Sequence, residues 1–217
     1  MLSMRMYTDS IIRTQEHKEF KNISLTGAVL DLGGECGSEY INLISGVYTV
    51  TKVNLSKEVG CDVVHDLEVA PLPFESNSFD AVVLNNTLEH IFHARELLSE
   101  AVRIAKPGGS VIVTVPFLFP IHPSPHDYWR FTEEALRQMF KDCGVQQIKI
   151  TPLGVGVFTV CFNFIERVLP RPLRFLSYFV RPIATFFDWL LFEVVHTNKS
   201  FIRKDYHSVG YFVVGIK

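Results

Sequence analysis

Short apolar runs that stop at Asp or Asn, with helix-spaced apolar residues between them, set the pattern of this chain. The first run, Ala28 to Leu30, ends at Asp31 and breaks into Gly33, Gly34 and Gly37. It predicts a buried parallel strand turning sharply toward a segment of helical character, Glu39 to Ile44. Glycines at such a turn let backbone come close to a ligand over the helix N-terminus, and Asp31 stands at the strand's ligand-binding end. Further strands are expected at Tyr48 to Val53 (ending at Asn54), Asp62 to His65 (ending at Asp66), Phe79 to Leu84 (ending at Asn85) and Val111 to Val115. His93 to about Ala105 has apolar residues at helical spacing, and Lys106-Pro-Gly-Gly109 stops it with a turn. Thr132 is placed as an N-cap with Glu133 and Glu134 behind it, for a helix that ends at Cys143-Gly144. Val145 to Thr151 and Tyr211 to Ile216 read as the sixth and seventh strands. Strands alternating with helices at this spacing imply right-handed crossovers and a mostly parallel sheet.

Two regions depart from that alternation. Residues 1–24 are polar with a few apolar anchors, Ile11, Ile12 and Phe20, and predict a helical lead-in. Between the last two strands, residues 152–204 are apolar and aromatic, broken by Pro170, Pro172 and Pro182 and studded with Arg167, Arg171, Arg174, Arg181 and Asp188. A membrane-spanning helix needs about 20 predominantly apolar residues. Phe175 to Val195 is long enough, but Arg181, Pro182, Asp188 and Glu193 argue against it. Helices covering the core or forming a substrate lid are expected, with a membrane-leaning surface as the rival, since arginines among aromatics suit a headgroup boundary. The domain reading is therefore a lead-in (1–24), a core (25–151), an apolar helical insertion (152–204) and a final strand (205–217).

Composition narrows the class. A chain of 217 residues with net charge −2 has no basic field to recruit nucleic acid. The four cysteines, Cys36, Cys61, Cys143 and Cys161, form no CxxC pair and read as free thiols in a reducing compartment. No apolar segment of signal-peptide type follows Met1. The expected location is cytoplasmic, with membrane association through the insertion as an option. Nothing fixes the oligomeric state.

The ordered pieces Val29-Leu-Asp-Leu-Gly33, His65-Asp-Leu67, Leu72-Pro-Phe74, Ser78-Phe-Asp-Ala-Val82, Leu88-Glu-His90 and Lys106-Pro-Gly-Gly109 resemble the class I S-adenosylmethionine-dependent methyltransferases, of the type 11-like family, from about Val29 to Phe140. The loop His126-Asp-Tyr-Trp-Arg-Phe-Thr132 is similar to that of the small-molecule and glycan branch. The resemblance implies a Rossmann-like, seven-stranded, mostly parallel sheet with helices on both faces, and S-adenosylmethionine as cofactor. It implies backbone around Gly33, Gly34 and Gly37 beside the cofactor's methionine part, and Asp31 near its ammonium. Asp66 would accept the adenine amino group with the Leu67 backbone beside it, and Asn85 would line the other side. Two positions depart from the family pattern. Glu35 replaces the middle glycine, so its side chain either crowds the cofactor or turns outward. Asn54 stands where a carboxylate usually accepts both ribose hydroxyls, and would take one through its carbonyl.

Methyl transfer from a sulfonium needs an in-line nucleophile and, for a hydroxyl acceptor, a base. The loop after the fifth strand offers His122, His126, Asp127, Tyr128 and Arg130. One of the two histidines is expected to face the acceptor as base. The blander reading pairs Asp127 with Arg130 to hold the loop and packs Tyr128 and Trp129. Glu89-His90 with His93 suggests a metal cluster, but no third ligand is evident nearby, so a helix-start role is expected and no metal. His65 is expected to be only a strand-end residue. The reading is a methyltransferase acting at oxygen on a small-molecule or glycan/lipid-linked acceptor. The alternatives are a non-catalytic binding module of the same fold, or a membrane-surface accessory protein.

Overall fold

The computed structural model of the chain describes residues 10–170, 177–195 and 204–217. Arg171, Pro172 and Arg174 of the expected insertion, the beginning of the Phe175 to Val195 stretch and the first nine residues of the lead-in lie outside them. In order come α1 (Ile11–Lys21), β1 (Ser24–Leu32), β2 (Ser45–Asn54), β3 (Val63–Val64), β4 (Phe79–Asn85), α2 (Ala94–Ile104), β5 (Ala105–Pro116), α3 (Glu133–Asp142), β6 (Gln147–Leu153), α4 (Val157–Val168), α5 (Ser177–Trp189) and β7 (Gly210–Ile216). The seven strands form one sheet in the order β3-β2-β1-β4-β5-β7-β6. The β1–β2, β1–β4, β2–β3 and β4–β5 pairs are parallel. Gly108 N–H donates to the Lys217 carbonyl while Phe117 N–H donates to that of Val209. The start of β5 thus meets the end of β7 and its end meets the beginning, so β7 runs against β5. The seven-stranded, mostly parallel sheet expected from the pattern is present.

The chain divides into two compact units. One comprises His17–Pro116, Ile121–Thr151 and Tyr211–Lys217. Its core is the set of buried strand residues, among them Val29, Leu30, Leu32, Val82, Leu84, Ile112 and Val113. The inward stripe of α2, Leu97, Leu98, Ala101 and Ile104, is buried as its spacing predicts. Several of the family-like motifs prove to be joints of this unit. Asp80 accepts hydrogen bonds from Ala28 N at 2.8 Å and from Lys106 Nζ, tying β1, β4 and β5 together. Gly27, with φ 83°, has no room for a Cβ because the Asp80 carboxylate lies 2.2 Å from where it would stand. Arg103 holds the Leu72-Pro-Phe74 turn through the carbonyls of Leu72 and Phe74 while pairing with Glu100, which accepts from Leu72 N. His65 Nε2 lies 2.9 Å from the Val69 carbonyl, a local turn contact. Thr132 caps α3 as expected, accepting from Ala135 N at 3.2 Å, and Gly144 ends it with φ 86°.

Element limits differ from the expectation at one telling place. Past the glycine turn there is a single 3-10 turn, Tyr40–Leu43, and no α-helix. The reason lies in β2, which begins at Ser45 rather than Tyr48. Ser45 N–H already donates to the Ile23 carbonyl, and Gly46 passes so close to β1 that a Cβ would lie 1.9 Å from the Leu25 carbonyl oxygen. Too few residues remain for a helix. The glycine turn therefore presents loop backbone, not a helix terminus with its dipole. Lys106-Pro-Gly-Gly109, expected as a turn, is drawn into the start of β5.

The other unit comprises Met1–Glu16, Phe117–Pro120 and Pro152–Gly210. Ile11, Phe162 and Ala184 form its buried cluster. Asp188, read from the sequence only as an interrupting charge, is fully buried and caps α4: it accepts from Phe158 N and Thr159 N, both at 2.9 Å. Gly156, with φ 114°, makes room for that carboxylate. Arg181 pairs with Glu166, and the Arg167 guanidinium lies 3.9 Å from the centroid of the Phe119 ring. Phe179, Ile183, Phe186 and Trp189 of α5 are exposed. Among the described residues no helix is long and apolar enough to cross a membrane.

Candidate active site

Asp31 closes β1 with its carboxylate fully buried. The Tyr40 hydroxyl, brought back by the 3-10 turn, donates to both its oxygens at 2.7 Å. Burial pushes this carboxyl up to about 6, with the Tyr40 bond and the Lys52 charge opposing in part. Gly33 follows with φ 92°, and a Cβ there would meet Thr87 Oγ1 at 2.6 Å. That hydroxyl donates to the Leu32 carbonyl at 2.9 Å. Gly34 is packed against the Asp31 carboxylate, whereas Gly37, φ 84°, opens on empty space. The turn is thus a cradle walled by Asp31 on one side and open on the other.

The two departures from the family pattern resolve differently. The Glu35 side chain is exposed, and its backbone is looped onto Ser38, whose hydroxyl donates to the Glu35 carbonyl at 2.9 Å. It turns outward. Asn54 turns inward instead: Nδ2 donates to the carbonyls of Gly33 (3.1 Å) and Gly34 (3.2 Å), and Oδ1 accepts from Leu55 N at 2.7 Å. The amide NH2 carries two donors, one for each glycine carbonyl, which an ionised carboxylate here would lack, so this asparagine binds the turn to the end of β2. Asp66 is exposed and accepts from Glu68 N through one oxygen, with Leu67 half-buried beside it. At the end of β4, Asn85 accepts the Thr114 hydroxyl at 2.6 Å.

The loop after β5 is divided. Phe117–Pro120 belongs to the helical unit, whereas Ile121 onward belongs to the sheet unit. Within the latter, Arg130 grips Asp127 through both guanidinium nitrogens and holds its carboxyl well below the usual carboxylate range. Asp127 also accepts from His122 N at 2.8 Å. These two residues brace the loop, as the blander reading has it. The His126 side chain is exposed and stacks on Tyr128, while its carbonyl meets His90 Nδ1 at 2.6 Å. Tyr128 N and Trp129 N donate to the Glu89 carbonyl. The loop is therefore stitched to the Leu88–His90 turn that follows β4.

That stitching carries a consequence invisible in the linear pattern. Glu89 is fully buried, and neither carboxylate oxygen has a hydrogen-bond partner. His90 Nε2 and His122 Nε2 each lie 3.8 Å from Glu89 Oε1. The third group missing from the Glu89-His90 pair is thus His122, supplied from 32 positions on. His93 goes elsewhere, pairing with Glu68 at 3.0 Å at the start of α2. A cavity of about 440 Å³ lined by residues of α1, β6 and β7, including Ile23, Lys149 and Phe212, shares no residue with this region.

Residues 30–113 match the family model described as a methyltransferase domain. The chain is 28% identical over 167 residues to demethylmenaquinone methyltransferase of Bacillus cereus strain B4264, which covers 62% of this chain and 69% of that one. It is 30% identical over 112 residues to the ubiquinone/menaquinone biosynthesis C-methyltransferase of Pseudomonas syringae pv. syringae, 44% of each chain. Among solved structures it resembles an S-adenosylmethionine-dependent methyltransferase from Thermotoga maritima, with a TM-score of 0.57 at 17% identity over 95% of this chain and 90% of that one. The strand order, the glycine turn beyond a buried Asp31 and these matches agree: residues 30–113 are similar to the methyltransferase domain family, and the chain has the fold of the class I S-adenosylmethionine-dependent methyltransferases.

Proposed function

We propose that the enzyme moves the methyl group of S-adenosylmethionine to an oxygen of a small-molecule or glycan/lipid-linked acceptor held by the histidine loop. The observation that carries this reading is the short segment from Thr87 to His90. Its first residue packs on Gly33, and its last two meet His122 and the His126 carbonyl. Cofactor turn and histidine loop are thereby two ends of one rigid connection. The residues present fit the cofactor. The buried Asp31 carboxylate suits its ammonium, the open side of Gly37 admits it, and Gly33, Gly34 and Glu35 contribute backbone. Asp66, Leu67 and Asn85 bound the adenosine side, and Asn54 acts chiefly by holding the turn. His122 serves as base for an acceptor hydroxyl, with Asp127 and Arg130 positioning it. His126 and Tyr128 form the loop's outer face.

The bacterial relatives are named for demethylmenaquinone and for C-methylation, which favours a lipid-linked acceptor and sets carbon against oxygen as the site of transfer. Incubation with S-adenosylmethionine carrying a ¹³C-methyl group, on phenolic, quinol and glycosyl acceptors, tests this by product NMR. A methoxy signal is expected. Label at carbon overturns the oxygen assignment, and no transfer to any hydroxylated acceptor overturns the acceptor class. His122→Ala is expected to abolish turnover while leaving cofactor affinity within twofold, and equal turnover in the variant removes His122 as base.

The exposed aromatics of α5 favour one addition, a peripheral contact of the helical unit with a membrane surface. Flotation with anionic liposomes, lost in a Phe186→Ser/Trp189→Ser variant, is the expected result. A protein that stays in the dense fraction refutes it.

A further inference from the structure

We infer that Glu89, His90 and His122 form a site for one divalent first-row transition-metal ion of the Zn²⁺ or Co²⁺ kind. The inference starts from the carboxylate. A buried ionisable group without a hydrogen bond costs several kcal/mol of lost hydration unless a cation or donor meets it. Glu89 is fully buried and both oxygens lack a hydrogen-bond partner; two imidazoles lie 3.8 Å from Oε1, beyond hydrogen-bonding distance, and the Arg130 guanidinium, gripped by Asp127, adds its charge without a hydrogen bond to either oxygen.

Ring orientation explains why those imidazoles suit a metal ion. A carbonyl only accepts, so the 2.6 Å contact from His90 Nδ1 to the His126 carbonyl places the proton on Nδ1. In the neutral ring Nε2 then carries the lone pair, on the Glu89 side. His122 has the same arrangement, with Nδ1 lying 3.4 Å from Asp127 Oδ2 and Nε2 toward Glu89. A histidine whose outer nitrogen is engaged by a carbonyl or carboxylate is how metal-ligating imidazoles are commonly held.

The dimensions agree with a site that closes slightly on its ion. One ligand atom from each residue lies within 4.8 Å of the other two. Ligand atoms at about 2.1 Å from an ion stand about 3.4 Å apart in a tetrahedron. A movement of a few tenths of an ångström at each ring suffices, and the His122 side chain is about a third exposed, with room to make it. Two imidazoles and one carboxylate are the three-ligand set that leaves an open position on the ion. The open position is the natural seat for an acceptor oxygen and would favour its ionised form, so that with an ion bound His122 acts as its ligand and the ion takes over the part of base given to that histidine above. That last step rests on the transfer to oxygen proposed above; ion binding itself does not.

Cobalt(II) titration of the apoprotein, with neither S-adenosylmethionine nor acceptor present, tests the site by visible absorption. The expected result is one ion per chain with a d–d band of low-coordinate geometry. Affinity should fall at least tenfold in Glu89→Gln and in His122→Ala, and remain in His126→Ala. The exposed thiols Cys36 and Cys161 are the competing ligands, so a Cys36→Ser/Cys161→Ser variant that keeps the band is part of the expectation. Absence of binding at millimolar cobalt overturns the inference. So does a band that survives Glu89→Gln and His122→Ala, or one that vanishes with the thiols. Circular dichroism shows whether each variant is folded, and His122→Asn serves should the alanine variant not fold. An ion bound here with no methyl transfer to hydroxylated acceptors would refute the acceptor reading and leave the site standing.

Discussion

Replacing Asp31 by Asn should make the free enzyme more stable at neutral pH and weaken its hold on S-adenosylmethionine. Burial raises the Asp31 carboxyl from 3.8 to about 6. The folded protein therefore keeps this proton up to about pH 6, while the unfolded chain releases it near 3.8. Between those values the folded state binds more protons, so stability falls as pH rises, by up to about 1.4 kcal/mol per pH unit. Across the window this amounts to about 3 kcal/mol, an upper figure for the cost of the buried charge. Asparagine has the same shape, does not titrate, and still accepts from the Tyr40 hydroxyl at Oδ1. Urea unfolding of both proteins at about pH 4, 5, 6 and 7 gives the difference between them, in which other titrating groups cancel. That difference should grow in favour of Asp31→Asn by about 2–3 kcal/mol between pH 4 and 7. Cofactor affinity should move oppositely. Loss of a charged partner for the ammonium costs about 1.5–3 kcal/mol, roughly ten- to hundredfold. Parallel stability curves would refute the raised carboxyl, and unchanged affinity at neutral pH would refute its part in holding the cofactor.

Three further outcomes follow from the same geometry. Asn54→Asp, which restores the carboxylate usual in the family, should destabilise the fold by about 1–2 kcal/mol, because Nδ2 no longer donates to Gly33 and Gly34. Denaturant midpoints check this, and tighter cofactor binding without loss of stability would show that the ribose contact outweighs the turn. Saturating S-adenosylmethionine, at about a hundred times its dissociation constant, should add roughly 2.7 kcal/mol and raise the melting temperature by about 5–10 °C, an effect diminished in Asp66→Ala. Asp188→Ala removes the acceptor for Phe158 N and Thr159 N and should cost about 1–2 kcal/mol; faster amide exchange confined to the first turn of α4 is the signature, and unchanged exchange there refutes the cap.

The sheet was readable because each strand's signal is local. Val82, Leu84, Val111 and Val113 are buried in runs short enough to be strands and bounded by polar breaks. The glycine turn was readable for the same reason, and so was the capping role of Thr132. The missing helix after Gly37 was not, because its absence depends on how far β2 reaches toward its own start. That reach is set by Gly46 lying against Leu25, a contact between strands. Motif residues such as Asp80 and Lys106 proved to be joints between strands, which the sequence could not show, since a motif shows that residues occur together and not what they touch.

Glu89 shows why the group around the histidine loop was harder to read than the glycine turn. The glycine turn lies within one stretch, Asp31 to Tyr40, with Asn54 one strand away. The group around Glu89 joins residues on either side of α2 and β5. It forms only because the Glu89 carbonyl receives Tyr128 N and Trp129 N while Arg130 and Asp127 set the loop's curvature. The backbone of one residue anchors the loop that brings a histidine to its own side chain. Glu89→Gln keeps that carbonyl and should leave the loop in place, so it separates the two jobs. Loss of function in this variant would then report the carboxylate alone, whereas a Leu88 or Trp129 substitution would disturb both. Burying an acidic side chain at such a junction is destabilising in itself, and stability alone gives no reason to place one there. The ion site inferred above would supply one.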